Sequence, residues 1–226
     1  MPRLVAISDT HSLHHGVIIP DGDILVHTGD FCNHGSMIDC IKFFNWFNIH
    51  PHKHKIVIAG NHDWWMEKAN PSEIKAIIPP GITYLNDSGC EVEGLKFWGS
   101  PVQPTFFNWS FNRDRGEAIQ KHWDLIPEGT DVLLTHGPAR YKQDECPDWN
   151  TKNLKHVGCQ NLYDTINKIK PLLHIFGHIH YSYGDCYGPG NTTFINASIC
   201  TEAYNPSNKP YVVDIIGRTV NIVKIY

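Results

Sequence analysis

Nine short runs rich in β-branched and aromatic residues recur along this chain of 226 residues and constrain its fold more than any other feature. They are RLVAIS (3–8), DILVHT (23–28), KIVIAG (55–60), LKFWGS (95–100), DVLLTH (131–136), LLHIFG (172–177), TTFINA (192–197), YVVDII (211–216) and TVNIVKI (219–225). The apolar runs lack the strict alternation of a half-exposed strand, so we expect strands that are buried on both faces. Such strands need a covering layer on each side.

Helical patterns separate several of these runs. Ser36 can cap a helix that extends to about Asn48, and residues 112–124 and 159–169 carry apolar residues at helical spacing. Alternating strands and helices predict an α/β fold in which helices pack on sheets. The last two runs flank Gly217, which predicts a closing β-hairpin. The length fits one domain, so we predict a single domain over residues 1–226.

Composition limits the possible partners and compartment. The formal net charge of −4 disfavours a protein that coats nucleic acid. No run of about 18 apolar residues occurs, so we expect no membrane-spanning helix, and the first residues lack a signal-peptide pattern. Seven cysteines without C-x-x-C spacing indicate reduced thiols and predict a cytoplasmic protein. Fifteen histidines are the outlier, and histidine is the commonest metal ligand.

Five of the apolar runs are followed closely by residues of the types that bind metal ions. In chain order they are Asp9 and His11, then Asp30, then Asn61 with His62 and Asp63, then His136, and finally His178 with His180. Because ligands of open α/β sheets bind beyond the carboxyl ends of the strands, we expect these five loops to converge on one site. Carboxylate, amide and imidazole groups together suit divalent ions such as Mn, Fe or Zn. Each motif is weak alone, and the prediction depends on finding all five at strand ends.

The stretch HIFGHIH (174–180) contains three histidines that strict alternation would place on one face of a strand. Gly177 makes a straight strand doubtful, because glycine often marks the point where the backbone turns. We therefore expect His174 to be packed or hydrogen-bonded inside the fold. His178 and His180 follow the turn and are expected to face the site.

The ordered motifs resemble the calcineurin-like metallophosphoesterase signature. They are Asp9-x-His11, Gly29-Asp30, Gly60-Asn61-His62-Asp63, His136 and Gly177-His178-Ile179-His180. The stretches GSPVQP (99–104), HGPA (136–139), INASIC (195–200) and NKPYVVD (208–214) resemble more narrowly the metallophosphoesterase-domain (MPPED-type) subfamily. The resemblance runs from residue 3 to about residue 215. It implies a two-sheet βαβαβ sandwich flanked by helices, with metals at the strand ends.

The resemblance also implies a role for each ligand. By motif position, Asp9, His11 and His180 hold the first metal, Asp30 bridges, and Asn61, His136 and His178 join Asp30 on the second. We expect two divalent ions, with Mn²⁺ as the first choice and Fe, Zn, Ni or Co as alternatives. His62 would contact the phosphate and act as general acid. Asp63 is expected either to hydrogen-bond His62 and raise its pKa or to serve as a helix cap or turn residue.

Several other residues are candidates for substrate contacts. Five aromatic side chains near the motifs are able to stack on a nucleobase, although such residues are also ordinary core residues: Trp64, Trp65, Phe106, Phe107 and Trp109. Trp64 and Phe107 join Asn61 and His62 as the predicted substrate-binding residues. The tract IHPHKHK (49–55) resembles a metal site, but its lysines would repel a cation, so we expect a solvated loop.

The resulting hypothesis is a dinuclear metal-dependent phosphodiesterase. The resemblance implies hydrolysis of phosphodiesters, with (cyclic) nucleotides as the expected substrates, by in-line attack of a metal-bridging hydroxide. The expected partner is a small phosphodiester or nucleotide, without a membrane or long nucleic acid, and the oligomeric state is open. One alternative is a phosphomonoesterase, including a protein phosphatase, which would use the same metal centre. Another is a non-catalytic scaffold with the same fold.

Overall fold

The computed structural model of the protein describes residues 1–148 and 150–223. The strands are β1 (Arg3–Ile7), β2 (Ile24–Thr28), β3 (His54–Ile58), β4 (Ile82–Tyr84), β5 (Ser88–Val92), β6 (Leu95–Ser100), β7 (Gln103–Pro104), β8 (Asn112–Arg113), β9 (Val132–Thr135), β10 (Glu145–Pro147), β11 (Leu154–His156), β12 (Leu173–Phe176), β13 (Gly184–Tyr187), β14 (Thr193–Asn196), β15 (Tyr211–Ile216) and β16 (Thr219–Val223). The helices are α1 (Met37–Asn48), α2 (Trp64–Lys68), α3 (Pro71–Ile77), α4 (Glu117–Trp123) and α5 (Gln160–Ile169). All nine predicted runs form strands, although residues 224 and 225 of the last run lie outside the described residues.

Two six-stranded sheets form the centre of the fold. The strand order is β16–β15–β1–β2–β3–β4 in the first sheet and β13–β14–β12–β9–β6–β5 in the second. The four strands β1 to β4 are parallel, as are β14, β12, β9 and β6. Strands β15 and β16 form the predicted hairpin around Gly217, whose φ of 57° suits a glycine in a tight turn. The expected α/β architecture with two sheets is confirmed.

Helices cover the outer face of each sheet, and a shared apolar layer fills the space between the sheets. Residues at alternate positions of the strands contribute to this middle layer: Leu4, Ala6, Val26, Ile56, Val132, Leu134 and Ile175. The residues between them face outward, where Val5 and Leu25 pack with α1 and Leu133 packs with α4 and α5. Because successive side chains of a strand point to opposite faces, both sets are buried. This explains why the runs show no apolar–polar alternation.

The three predicted helices correspond to α1, α4 and α5, with an exception at the start of α4, whereas α2 and α3 were not predicted. Ser36 Oγ accepts a hydrogen bond from Asp39 N at 3.2 Å, which caps α1 as predicted. The prediction of a helix from residue 112 is wrong for its first part, because Asn112 and Arg113 form β8 and pair with β7. The Arg113 carbonyl accepts a hydrogen bond from Thr105 N at 2.9 Å. The helix α4 starts only after Gly116, whose φ is 90°.

The carboxyl ends of the parallel strands of both sheets meet at one edge of the fold. Ser8, directly after β1, forms an isolated parallel bridge with Ser198, which follows β14 in the other sheet. Backbone hydrogen bonds join the adjacent loops, from Asp9 N to Gly29 O at 3.0 Å and from Gly177 N to His136 O at 2.9 Å. The five loops that carry the predicted ligands therefore converge, as expected for ligands beyond strand ends.

Candidate metal centre

The predicted ligands form overlapping clusters at this edge. One cluster contains Asp9, His11 and His180, and a second contains Asp30, His136 and His178. A third joins His11, Asp30 and His62, and in each cluster the possible ligand atoms lie within 4.8 Å of one another. Asn61 adjoins the second cluster, since its Oδ1 lies 2.9 Å from His136 Nε2. The structure thus brings together all seven predicted ligands and His62, with Asp30 shared between clusters.

Four of these residues have a left-handed backbone. The φ angles are 51° at Asp9, 42° at His11, 55° at Asp30 and 69° at His178. Residues other than glycine rarely adopt such angles, which cost about 1–3 kcal/mol each and tend to gather at functional sites. Neighbouring contacts hold them in place, because His178 N lies 3.1 and 2.9 Å from the two carboxylate oxygens of Asp9. The strain is concentrated where the polar side chains converge.

Gly177 and Gly60 allow the loops to approach this closely. A Cβ atom at Gly177 would overlap Asp9 Oδ2 and Ser8 Oγ. At Gly60 it would overlap Asp30 Oδ1 and lie 2.6 Å from His136 Cε1. Any larger residue at either position would have to displace one of the clustered side chains.

The hydrogen bond made by His136 Nδ1 leaves the lone pair of its Nε2 facing two side-chain oxygen atoms. Its Nδ1 lies 3.0 Å from the Thr28 carbonyl oxygen, which can only accept, so the neutral ring carries its proton on Nδ1. Its Nε2 then faces Asn61 Oδ1 at 2.9 Å and Asp30 Oδ2 at 3.4 Å. Three acceptors pointing at one another repel unless a proton or a cation lies between them. This donor set fits a divalent metal ion.

The donors of the first cluster are arranged in a similar way around His180. Its Nδ1 lies 3.1 Å from the Thr201 carbonyl oxygen, which leaves Nε2 free as a ligand atom. That Nε2 lies 3.2 Å from Asp9 Oδ1 and 3.2 Å from His11 Nε2. His11 Nε2 is also 3.9 Å from Asp30 Oδ2. Two imidazole nitrogens and two carboxylates therefore point at a common volume, which fits a second ion.

Burial and charge shift the titration of these groups in opposite directions. Burial lowers the pKa of His11 to about 4, so this ring is neutral and able to bind a cation near pH 7. Burial also lowers the pKa of His136, but the adjacent Asp30 carboxylate outweighs it and raises that pKa to about 9. Burial by itself would raise the pKa of Asp9 and of Asp30, yet the surrounding histidines hold both below the usual value. Both carboxylates are therefore ionised.

His62 is held with one nitrogen anchored and the other free. Its Nδ1 lies 2.8 Å from the Asn33 carbonyl oxygen, and its backbone N donates to Asp30 Oδ1 at 2.7 Å. The ring packs against Trp109, with centroids 4.2 Å apart, and is 8% exposed. The neutral ring thus carries its proton on Nδ1, and Nε2 remains available to the cleft.

Of the two alternatives for Asp63, the hydrogen bond to His62 is wrong, whereas the turn is present, since Asp63 N donates to the Gly60 carbonyl oxygen at 3.1 Å. The Asp63 carboxylate instead accepts from three backbone amides, those of Gly60 at 2.8 Å and of Asp30 and Cys32 at 2.9 Å each. Asp63 precedes α2, but its side chain makes no capping hydrogen bond there. Burial and the Asp30 charge raise the pKa of Asp63 to about 8, against the effect of these amide donors. Its structural role is to tie the loop after β2 to the loop after β3.

Supporting residues that the sequence analysis did not identify surround the clusters. Ser198 Oγ lies 3.0 Å from Asp9 Oδ2, and the carbonyl groups of Thr28, Thr201 and Asn33 orient His136, His180 and His62. Such partners fix the tautomer and direction of ligating histidines. Among these partners only Ser198 acts through its side chain, so only Ser198 could have been identified from its residue type. The others act through backbone carbonyl groups, which every residue has.

A cleft of about 400 Å³ opens over the clusters. Its aromatic walls are Phe106, Trp109, Tyr181 and Tyr204. Of these, Tyr181 and Tyr204 were not predicted as substrate contacts, and the ring centroid of Tyr204 lies 4.7 Å from that of His11. Trp64 does not line the cleft; its ring centroid lies 6.1 Å from that of Trp109. Trp65 packs with the apolar layer beneath α1. Phe107 is 82% exposed and lines a neighbouring recess.

The other histidines have structural surroundings. His174 is fully buried, and its Nε2 lies 2.8 Å from Thr135 Oγ1, which confirms the expectation for the first histidine of HIFGHIH. A solvated loop is wrong for His52, which is 2% exposed and lies 3.0 Å from the Pro20 carbonyl oxygen. His54 begins β3 and lies 2.9 Å from Glu93.

The described residues contain no helix with the length and apolar character needed to cross a bilayer.

Comparison with known proteins gives a match over most of the chain. The model of the family described as calcineurin-like phosphoesterase matches residues 2–182. The chain is 39% identical to metallophosphoesterase domain-containing protein 1 of Homo sapiens over 236 aligned residues, which cover 94% of this chain and 71% of the human protein. It is 36% identical to UPF0046 protein K07C11.7 of Caenorhabditis elegans, over 97% of this chain and 77% of that protein. The solved structure of TT1561 of Thermus thermophilus has a TM-score of 0.60 at 13% identity over 98% of each chain, a likeness of fold.

Proposed function

Since this chain belongs to the calcineurin-like phosphoesterase family, and by that membership is a phosphoric ester hydrolase, we propose that it is a dinuclear metal-dependent phosphodiesterase. Its proposed substrates are small nucleotide-type diesters, cyclic or linear. Mn²⁺ is the proposed ion, and the seven free cysteines favour the reducing cytoplasm as its compartment. The observation that carries the proposal is the pair of donor sets that share Asp30, with His62 beside them in the same cleft.

The two ions, when bound, would neutralise the phosphate oxygens and supply a nucleophilic hydroxide near neutral pH. The first donor set is Asp9, His11, Asp30 and His180, and the second is Asp30, Asn61, His136 and His178. Ser198 and the carbonyl groups behind the histidines keep these side chains aimed at one volume. Asp30 spans both sets because its Oδ2 faces His136 Nε2 at 3.4 Å and His11 Nε2 at 3.9 Å.

His62 is the proposed general acid. With Nδ1–H donated to the Asn33 carbonyl, the second proton of the imidazolium resides on Nε2, the atom that faces the cleft. As the oxygen of a hydroxide ion bonds to phosphorus, the bond from phosphorus to the leaving oxygen breaks, and the proton on Nε2 passes to that oxygen. General acid catalysis of this kind contributes about 10²–10⁴-fold to a rate.

The walls of the cleft favour a diester over a monoester. Four aromatic rings and Glu202 line it, and the described lining residues contain no lysine or arginine. A diester carries a single negative charge, whereas a monoester carries nearly two near pH 7 and needs more positive charge for binding. The aromatic rings offer stacking surfaces for a base.

Hydrolysis of bis-p-nitrophenyl phosphate and of p-nitrophenyl phosphate tests the proposal, each measured with and without Mn²⁺. We expect Mn²⁺ to stimulate hydrolysis of the diester. On a diester with an alkoxide leaving group, which unlike p-nitrophenolate needs a proton in order to depart, His62→Asn should lower kcat by about 10²–10⁴-fold while Mn²⁺ binding is retained. The exposed His15 is the control, because His15→Asn removes an imidazole that lies outside the cleft.

The outcomes separate the candidate functions. Activity on the monoester alone would identify a phosphomonoesterase. Mn²⁺ binding without Mn²⁺-stimulated hydrolysis of either compound would identify a non-catalytic scaffold.

A further inference from the structure

A second recess of about 520 Å³ opens beside the metal cleft. Four residues line both spaces: Phe106, Cys146, His178 and Ile179. From there the recess continues over Thr105, Phe107, Pro138 and Val157. Because His178 belongs to the ligand set, the recess begins at the metal centre. A molecule held at the centre can therefore extend into the cleft, into the recess, or into both.

Phe107 is the unusual residue of the recess. Its ring is 82% exposed although it is large and apolar, and its backbone has the left-handed φ of 43°. Asn112 Nδ2 lies 3.1 and 3.2 Å from the carbonyl oxygens of Phe106 and Phe107, which holds the loop in this shape. An apolar ring kept in solvent by a strained and hydrogen-bonded loop is suited to a contact with a ligand.

The position of His62 assigns the two arms of a diester. His62 lines the cleft and is not among the described residues that line the recess. A general acid must reach the leaving oxygen, so the leaving arm lies in the cleft near Trp109 and Tyr204. The other ester arm stays on phosphorus and must project elsewhere. On the side of His178 and Phe106, whose rings lie 5.0 Å apart, the open space is the recess.

Charge distinguishes the two spaces further. Arg115 and Lys155 line the recess, with Lys155 Nζ paired to Asp148 Oδ2 at 3.0 Å, whereas Glu202 is the charged residue that lines the cleft beyond the metal ligands. An arm with a further anionic group is therefore accepted more readily in the recess than in the cleft.

We propose, on the premise of the phosphodiesterase function above, that the recess binds the retained arm of the substrate and that this arm carries a flat aromatic group of nucleobase type. Phe107 stacks on that group. The substrate class that fills both spaces is then a linear diester with two large arms.

The test compares two diesters that share the p-nitrophenolate leaving group, phenyl p-nitrophenyl phosphate and methyl p-nitrophenyl phosphate. We expect the wild type with Mn²⁺ to prefer the phenyl compound in kcat/KM. Phe107→Ala should lower the phenyl-to-methyl ratio by about tenfold, the scale of one stacking contact. Phe107→Tyr keeps an aromatic ring and should retain the ratio. Ile18→Ala truncates another apolar side chain that is 86% exposed and should also retain it.

Each outcome has one meaning. A phenyl-to-methyl ratio that is the same in Phe107→Ala as in the wild type overturns the role of the recess and leaves the phosphodiesterase in place. Failure of Mn²⁺ to stimulate hydrolysis of either diester overturns the phosphodiesterase, and the role of the recess with it.

Discussion

Replacing Gly177 by alanine tests whether the close approach of the loops shapes the metal centre. Gly177 does not have a left-handed φ, so alanine brings no backbone strain, and the effect comes from its Cβ alone. That atom would overlap the Asp9 carboxylate and Ser8 Oγ, and would lie 2.7 Å from Ser8 Cβ. Overpacking of this kind costs about 1–3 kcal/mol. The Asp9 side chain cannot move away at low energetic cost, because it is fully buried and accepts hydrogen bonds from His178 N and Ser198 Oγ.

The expected result has two parts, measured on metal-free and metal-titrated protein. Without metal, Tm should fall by about 4–8 °C, since about 2 kcal/mol shifts Tm by this amount in a domain of this size. Displacement of the Asp9 carboxylate should also weaken Mn²⁺ binding by about 10–100-fold in calorimetric titration, the scale known for disturbed ligand supports. Metal-free unfolding is needed because a bound ion stabilises the folded state by mass action.

Gly16→Ala is the matched control. A Cβ at Gly16 would meet its nearest atom, Pro206 Cγ, at an ordinary 3.9 Å. The free energy of unfolding should change by about 0.5 kcal/mol or less. The reasoning is refuted if Gly177→Ala unfolds and binds Mn²⁺ as the wild type does.

Two further predictions concern residues behind the ligands. Burial lowers the pKa of His174 to about 3, so the unfolded chain binds one proton more between pH 6.5 and pH 3, and this residue's contribution to stability is lost as the pH falls through that window. In urea unfolding at pH 7, His174→Ala should lose about 2–4 kcal/mol of the free energy of unfolding. Below pH 6.5 this free energy should fall less steeply with pH than in the wild type, the slope differing by up to about 1.4 kcal/mol per pH unit. Ser198→Ala removes a hydroxyl 3.0 Å from Asp9 Oδ2 and should weaken Mn²⁺ binding about tenfold in calorimetry.

Opposite results would contradict these assignments. Unchanged pH dependence in His174→Ala would mean that the imidazole is not held neutral in the folded protein. A loss of unfolding free energy in Ser198→Ala with unaltered Mn²⁺ affinity would reduce this serine to a packing role.

The sandwich and the clustering of the candidate ligands were predictable because both leave local signals. Continuous apolar runs report burial on both faces, and five of the runs are followed within a few residues by candidate ligands, as with Asp9 and His11 after β1. The direction of His174 was predictable for the same reason, since it precedes the glycine that ends the strand. The carboxyl ends of parallel strands lie at a common edge, so side chains that follow these ends meet there and no knowledge of distant contacts is needed to predict it.

The remaining features depend on contacts that residue types do not encode. Asp63 sits beside His62 in sequence, yet its carboxylate binds amides of Gly60, Asp30 and Cys32, which depends on how two loops meet. The orientation of His62 comes from the Asn33 carbonyl, a group that every residue has. β8 similarly replaces the start of a predicted helix because β7 lies within hydrogen-bonding reach. Tertiary contacts decided these cases over local patterns.

The proposed function requires two ions, bound in donor sets that share Asp30. Calorimetric titration of metal-free protein with Mn²⁺ counts the ions bound per chain. We expect two ions for the wild type, one for His178→Ala, which loses a ligand of a single set, and none bound tightly by Asp30→Ala, which loses the shared ligand. A single ion in the wild type, or two ions retained by Asp30→Ala, would exclude a centre of two ions that share Asp30.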